Sequence, residues 1–121
     1  GKNNDNYREV QGKQIANKVK GFNNPTIIVG DFNMSYMPKA LLDLGYEGAR
    51  EGAVAATNAE YATYAKYGKE PSKNLADHNL DHINTKGHKK INGYTVKGIE
   101  NGKFIELRPS DHQLIIASIT L

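Results

Sequence analysis

The chain has 121 residues, of which 38% are apolar and 24% charged, and this composition is typical of one globular domain with a modest core. It contains no cysteine, which excludes disulfides, thiolate chemistry and cysteine-based zinc sites. The net charge of +3 comes from scattered lysines that are typical of a solvated surface. The sequence has neither a membrane-spanning run nor a signal peptide, so we expect a soluble protein, cytoplasmic or secreted. Because it begins at Gly1, we expect a processed product or a fragment.

Three elements are predicted in the first half of the chain. Apolar residues near one helical face predict a helix over residues 5–20, although Gly12 lies inside it. The apolar run of residues 26–29 predicts a strand that is buried on both faces. Pro38 and the leucines that follow predict a short helix that ends at Gly45. Residues 48–60 are rich in alanine and glycine and predict no definite element.

The second half of the chain favours strands. Residues 61–67 alternate aromatic and small side chains, which indicates an edge strand, and residues 68–79 read as a polar loop. Strands are predicted over 80–85 and 94–99, joined as a hairpin through a basic turn. Residues 104–107 are expected to be extended, and residues 112–121 to form the last strand. The elements together predict a mixed α/β fold with a mainly antiparallel sheet.

Three short polar signatures flank the predicted strands. They are Gly30-Asp31-Phe32-Asn33, Leu80-Asp81-His82-Ile83 and Ser110-Asp111-His112. The first follows its strand, whereas the other two begin theirs. If the first strand runs antiparallel to the other two, all three signatures meet at one edge of one sheet.

The residue types in these signatures indicate phosphoester chemistry. Carboxylates held close together repel one another unless a cation or a proton intervenes, and oxygen ligands of this kind suit Mg²⁺ or Mn²⁺. A histidine beside a carboxylate is suited to general acid catalysis or to hydrogen bonding with a phosphate. Each signature alone also fits a turn, a cap or a surface residue. The combination favours metal-assisted attack of water on a phosphoester.

The three signatures resemble those of the endonuclease/exonuclease/phosphatase superfamily, which includes deoxyribonucleases, abasic-site endonucleases, bacterial sphingomyelinases and inositol-polyphosphate phosphatases. The resemblance extends from the helix at residues 7–11 to the last strand. It implies the C-terminal half of a four-layer α/β sandwich, with a mixed, mainly antiparallel sheet and helices on one face. All 121 residues would belong to this half-domain.

The resemblance also implies a role for each polar residue. Asp31 would orient or deprotonate the attacking water, and Asn33 would hold the phosphate and assist Asp31. His112 would donate a hydrogen bond to a non-bridging phosphate oxygen, and Asp81 would pair with His112. Asp111 would bind the divalent metal, Mg²⁺ or Mn²⁺.

The prediction also includes a substrate contact and the absence of the N-terminal half of the family domain. Arg108 precedes the last signature and is a candidate for contacting the substrate. The N-terminal half of the family domain, which supplies a metal-binding Glu, an Asn and another His, has no recognisable counterpart here. We therefore expect an uncovered apolar sheet face that binds the missing half or a second copy, and weak or no catalysis by the chain alone.

The sequence leaves two questions open. One is whether the chain is catalytic or is a non-catalytic module that binds phosphoesters, nucleic acid or another protein. The other is the substrate, since a nucleic acid, a phospholipid head group and a small phosphoester all fit. The basic residues 86–90 read as a solvated turn. His82 should point away from Asp81, so it reads as a packing residue or as a support for the site residues, not as a ligand.

Overall fold

A computed structural model of the chain describes residues 2–66, 68–105 and 110–121, with side chains described from residue 6 onward. Within these ranges there are four helices and eight strands. In chain order they are α1 (Lys2–Val19), β1 (Thr26–Asp31), α2 (Lys39–Asp43), β2 (Glu47–Gly48), α3 (Ala49–Gly52), β3 (Ala55–Thr57), α4 (Leu75–His78), β4 (Asp81–Lys86), β5 (Lys90–Val96), β6 (Ile99–Glu100), β7 (Lys103–Phe104) and β8 (Ile115–Thr120).

The first apolar cluster packs α1 and α2 against one face of β1. Its buried members are Ala16, Leu41 and Tyr46, and Ile28 of β1 packs against them. Gly12 in the middle of α1 is explained by this packing, because a Cβ at that position would overlap the ring of Pro38. The close approach of the two helices therefore requires a glycine where propensity alone disfavours it.

The first sheet places β4 between β1 and β2, both antiparallel to it. Thr26 pairs with Lys86 at one end of the β1–β4 ladder, and Asp31 pairs with Asp81 at the other. Strand β1 therefore extends two residues beyond the predicted apolar run and includes Asp31. This register brings the first two signatures to the same end of the sheet.

The second sheet has the order β3-β5-β8, with β3 parallel and β8 antiparallel to β5. It encloses the second apolar cluster, whose buried members are Ala49, Tyr61, Ile91, Tyr94, Val96 and Ile99. Ile83 of β4 and Ile115 of β8 both pack against this cluster. The cluster therefore lies against strands from both sheets.

The mixed α/β class is confirmed, but four predicted details are wrong. Strands β4 and β5 do not form a hairpin, because they belong to different sheets. The last strand likewise lies in the second sheet, so the signatures do not share one sheet. Residues 61–66 form a connection with a single bridge instead of an edge strand, and the first three of these residues are buried. Residues 75–78 of the predicted loop form α4. The extended stretch expected over residues 104–107 lies partly outside the described residues.

Among the described residues, none of the helices combines the length and the apolar character that a membrane span requires.

Candidate active site

Two carboxylates face each other where β1 ends and β4 begins. Asp31 is the last residue of β1 and Asp81 the first of β4, and the two are direct cross-strand partners. Residues opposite each other in an antiparallel ladder point to the same face of the sheet, and like charges in this position repel. A positive group near both carboxylates would relieve the repulsion.

The imidazole of His112 supplies that group. Its Nδ1 donates a hydrogen bond of 2.7 Å to Oδ2 of Asp81, and its Nε2 lies 3.9 Å from Oδ2 of Asp31. The side chains are 19% exposed for Asp81, 30% for His112 and 41% for Asp31. The site is thus anchored at Asp81 and open to solvent at Asp31.

The surrounding charges favour the protonated form of His112. The hydrogen bond with Asp81 raises the pKa of His112 from its ordinary value of 6.5, against the opposing effect of partial burial. The negative charges of Asp81, Asp31 and Asp111 raise this pKa further. The imidazole is therefore able to act as a hydrogen-bond donor at both nitrogens.

The backbone after β1 holds the Asp31 carboxylate in place. The N–H of Asn33 donates a hydrogen bond of 2.9 Å to Oδ1 of Asp31. Asn33 has a φ of 52°, a left-handed conformation that asparagine tolerates better than most residues. The main chain of Asn33 thus contacts Asp31, whereas the assistance expected of Asn33 and its contact with phosphate stay predictions.

Three further residues were singled out from the sequence, and the structure treats each differently. Asp111 is half-buried and its carbonyl accepts a hydrogen bond from the N–H of Ala65, while metal binding by its carboxylate stays a prediction. Arg108 lies outside the described residues. His82 is 8% exposed, and its Nε2 lies 2.6 Å from the carbonyl of Met34, which confirms the packing role.

Sequence reasoning missed the buried connection of residues 61–65, which passes beneath the site. Tyr64 forms an isolated antiparallel bridge with His112, and the two rings lie 5.0 Å apart between centroids. Thr63, next to it, is completely buried. The alternation of aromatic and small residues had suggested an edge strand, so these contacts had no sequence signal of their own.

Two grooves border the carboxylates. One, of about 340 Å³, is lined by Asp31 and Asp81 together with the apolar side chains of Val29, Ile83 and Leu114. The other, of about 480 Å³, lies between α1 and the end of β1. Asp31 lines both grooves, so a molecule bound in either one can reach its carboxylate.

The three side chains of the site also meet the distance requirement for a shared cation. One ligand atom each from Asp31, Asp81 and His112 lies within 4.8 Å of the others. However, Mg²⁺ prefers an all-oxygen set, and an imidazole whose proton is favoured by two carboxylates is a poor ligand. The donor chemistry therefore fits a histidine that is hydrogen-bonded to Asp81 and near the charge of Asp31 better than a complete Mg²⁺ site.

Comparison with solved structures identifies the fold. A conserved protein of unknown function from Enterococcus faecalis V583 matches 93% of this chain at 19% identity, with a TM-score of 0.68. A mannosyl-6-phosphatase from Bacteroides thetaiotaomicron VPI-5482 matches 94% at 18% identity, with a TM-score of 0.59. An endonuclease/exonuclease/phosphatase family protein from Leptotrichia buccalis C-1013-b matches 91% at 23% identity, with a TM-score of 0.61. The chain has the endonuclease/exonuclease/phosphatase fold.

The match covers only part of each of these proteins. The chain spans 44% of the E. faecalis protein, 44% of the mannosyl-6-phosphatase and 42% of the L. buccalis protein. These shares agree with the expectation that the chain corresponds to one half of the sandwich. No protein-family model and no curated protein matches the chain.

Proposed function

We propose that this chain is the C-terminal half of an endonuclease/exonuclease/phosphatase domain and carries half of a metal-dependent phosphoester hydrolase site. The observation that carries the proposal is the convergence of three separate segments, in which His112 is hydrogen-bonded to Asp81 and lies 3.9 Å from Asp31. A solved mannosyl-6-phosphatase with the same fold supports a phosphoester substrate.

His112 is the phosphate-binding acid in this proposal. Its Nδ1 is engaged by Asp81 at 2.7 Å, which fixes the plane of the ring. The 3.9 Å between its Nε2 and Oδ2 of Asp31 is too long for a hydrogen bond, so Asp31 does not occupy the donor that would bind a phosphate oxygen. Donation from Nε2 to a non-bridging oxygen would stabilise the charge that develops in the transition state.

Asp31 is the general base. It is the most exposed of the three side chains, so a water molecule can reach it. The hydrogen bond from the Asn33 N–H to Oδ1 leaves Oδ2 on the side of His112. Water deprotonated there would attack a phosphorus whose oxygen is held by Nε2, while the Asn33 side chain holds the phosphate.

A divalent metal, Mg²⁺ or Mn²⁺, would complete the site, and Asp111 would hold it. Mg²⁺ is commonly bound by one or two carboxylates together with water and substrate phosphate, so a single ligand from this chain fits as part of a set. When bound, the metal would polarise the phosphoester and neutralise its charge. The remaining protein ligands would come from the half that this chain lacks.

An uncovered apolar surface supports the idea that another polypeptide segment covers this half. Ile27 and Val29 on β1 are 46% and 65% exposed, and Leu114 and Ile116 near β8 are 67% and 46% exposed. Ile27 and Val29 alternate with residues that face the helices, so they share a face with Asp31. The surface that covers these side chains would therefore also form a wall of the active site.

The proposal is tested on the longer protein to which we assign this chain. Hydrolysis of phosphomonoester and phosphodiester probes is measured in the presence of Mg²⁺. Asp31→Asn and His112→Ala should each lower kcat by about 10²-fold or more, since each removes a general acid or base. Matched controls are Asp43→Asn, at an exposed carboxylate on α2, and His88→Ala, at the opposite end of β4, and both should keep the full rate.

Two results would contradict the proposal. Hydrolysis at full rate after either active-site substitution would refute the assigned roles. Robust Mg²⁺-dependent hydrolysis by the purified 121-residue chain would refute the division of the site between two halves. Binding of phosphate without any hydrolysis by the longer protein would instead support the non-catalytic binding module.

A further inference from the structure

The connection of residues 61–65 is buried beneath the site, although connections usually run over the surface. Tyr61, Ala62 and Thr63 are 8%, 2% and 0% exposed. A buried irregular segment must find partners for its backbone polar groups. Some of the partners of this segment are residues in or next to the second and third signatures.

The side chain of Thr63 holds the start of β4. Its Oγ1 accepts a hydrogen bond of 3.0 Å from the N–H of Leu80 and another of 3.0 Å from the N–H of Asp81. One hydroxyl thus accepts hydrogen bonds from the N–H groups of two consecutive residues, Leu80 and Asp81. These bonds restrain the position of the Asp81 carboxylate relative to Thr63.

The main chain of the same segment holds the residues around His112. The carbonyl of Thr63 accepts a hydrogen bond of 2.7 Å from the N–H of Gln113, and the N–H of Ala65 donates one of 3.2 Å to the carbonyl of Asp111. Thr63 is therefore bonded to Asp81 through its side chain and to the residue after His112 through its carbonyl.

This double attachment matters because no strand ladder connects the two partners. Asp81 begins β4 in the first sheet, whereas His112 precedes β8 in the second, and within the described residues no ladder joins β4 to β8. The 2.7 Å hydrogen bond between Asp81 and His112 thus needs another element to fix the distance between their backbones.

We infer that Thr63 is the positioning residue for the Asp81–His112 pair, its hydroxyl fixing Asp81 and its carbonyl fixing the backbone at His112. The effect of this positioning on catalysis rests on the proposed function, whereas the positioning itself does not. Loss of the hydroxyl would remove this acceptor from the N–H of Asp81, whereas the N–H of Leu80 would keep its second acceptor, the carbonyl of His78. The Asp81 carboxylate would then move relative to the imidazole.

Thr85 provides a comparison within the same protein. It is also completely buried, but its Oγ1 has no hydrogen-bond partner among the residues that the structure describes. Replacing Thr85 by valine removes a buried hydroxyl of the same kind without removing an acceptor from the site. Thr63→Val and Thr85→Val are therefore a matched pair.

NMR of the 121-residue chain tests the inference without any substrate. The Nδ1–H proton of His112 should resonate far downfield because it bonds to a carboxylate, and Asp81→Asn should remove this signal and thereby assign it. Thr63→Val should also abolish the signal, whereas Thr63→Ser, which keeps the acceptor, and Thr85→Val should retain it. A retained signal in folded Thr63→Val, or a lost signal in folded Thr63→Ser, would overturn the inference.

If Thr63→Val does not fold, Thr63→Cys replaces it, because a thiol is a small group but a weak acceptor. Loss of the signal in folded Thr63→Cys supports the inference, and its retention overturns it. In the longer protein, Thr63→Val should lower kcat by about 10²-fold with little change in KM, and serine should restore the rate. If the wild-type longer protein were inactive but the predicted NMR pattern were observed, the proposed function would be refuted and the positioning role of Thr63 would stand.

Discussion

Replacing Asp81 by asparagine should reduce stability in a way that depends on pH. The hydrogen bond and charge of Asp81 raise the pKa of His112, so the folded state binds the proton more tightly than the unfolded state. This contribution is fully present below the unfolded pKa of His112, near 6.5, and is lost as pH rises through the folded pKa. The stability difference between the wild type and the Asp81→Asn variant should therefore shrink between pH 6 and pH 9.

The size of the effect follows from the geometry and exposure of the pair. A hydrogen bond between charged groups contributes about 1.5–3 kcal/mol when it is well shielded. His112 is 30% exposed and Asp81 19% exposed, so solvent screening reduces the value to about 1 kcal/mol. The free energy of unfolding, measured by urea denaturation at each pH, should resolve this difference.

A control separates this effect from a general loss of negative charge. Asp43→Asn removes a carboxylate that pairs with Lys39, 2.8 Å away. The pair with Asp43 raises the pKa of Lys39 from 10.5, so Lys39 stays charged between pH 6 and pH 9. The Asp43→Asn variant should thus differ from the wild type by the same amount at both pH values. If the Asp81→Asn difference were equally constant, or grew with pH, the proton-linked role of the pair would be wrong.

Two more predictions concern the packing of the chain. Leu41→Ala should lower the free energy of unfolding by about 2–5 kcal/mol in urea denaturation, because Leu41 is completely buried. Leu42→Ala, at a 52% exposed position, should change it by about 0.5 kcal/mol or less. Equal losses would contradict the assignment of Leu41 to the first apolar cluster. The wild-type chain should bind an apolar fluorescent dye or self-associate in light scattering, and Leu114→Glu should reduce this more than Leu42→Glu does. A monodisperse monomer without dye binding would argue against the exposed apolar face.

The pairing of Asp31 with Asp81 could be predicted because it depends on two simple rules, whereas the predicted route of His112, through the same sheet, was wrong. Side chains two residues apart on a strand share a face, which places Asp31 with Val29. Antiparallel pairing brings the end of one strand to the start of its neighbour, which places Asp31 opposite Asp81. Neither rule requires knowledge of the distant packing, so the β1–β4 arrangement agrees with the prediction.

The predicted hairpin between β4 and β5 was wrong for a reason that no sequence pattern indicates. A strand has two hydrogen-bonding edges, and both edges of β4 are occupied, one by β1 and the other by β2. Strand β2 has only two residues, Glu47 and Gly48, too few to give a periodic signal. With no free edge on β4, β5 pairs with β3 and β8 in a second sheet.

The residues around Thr63 were misjudged for a related reason. Alternating aromatic and small side chains predict a strand, but here Tyr61 enters the core while the threonine between the aromatics faces the start of β4. Which backbone groups a buried hydroxyl meets depends on how the two sheets pack together, and that packing has no local pattern. The supporting residues of the site were therefore beyond prediction, although its central residues were not.

The position of the site between two sheets links its chemistry to the apolar face beside it. Val29, Ile83 and Leu114 line the same groove as Asp31 and Asp81. A surface that covers these apolar side chains would also exclude water from the carboxylates and from His112, and electrostatic interactions strengthen where water is excluded. In the proposed assembly, burial of these apolar side chains would drive the two halves together, and the interactions between charged groups would become stronger. Assembly would therefore create the catalytic environment, and substitutions that weaken the apolar contact should lower kcat even though they leave Asp31, Asp81 and His112 in place.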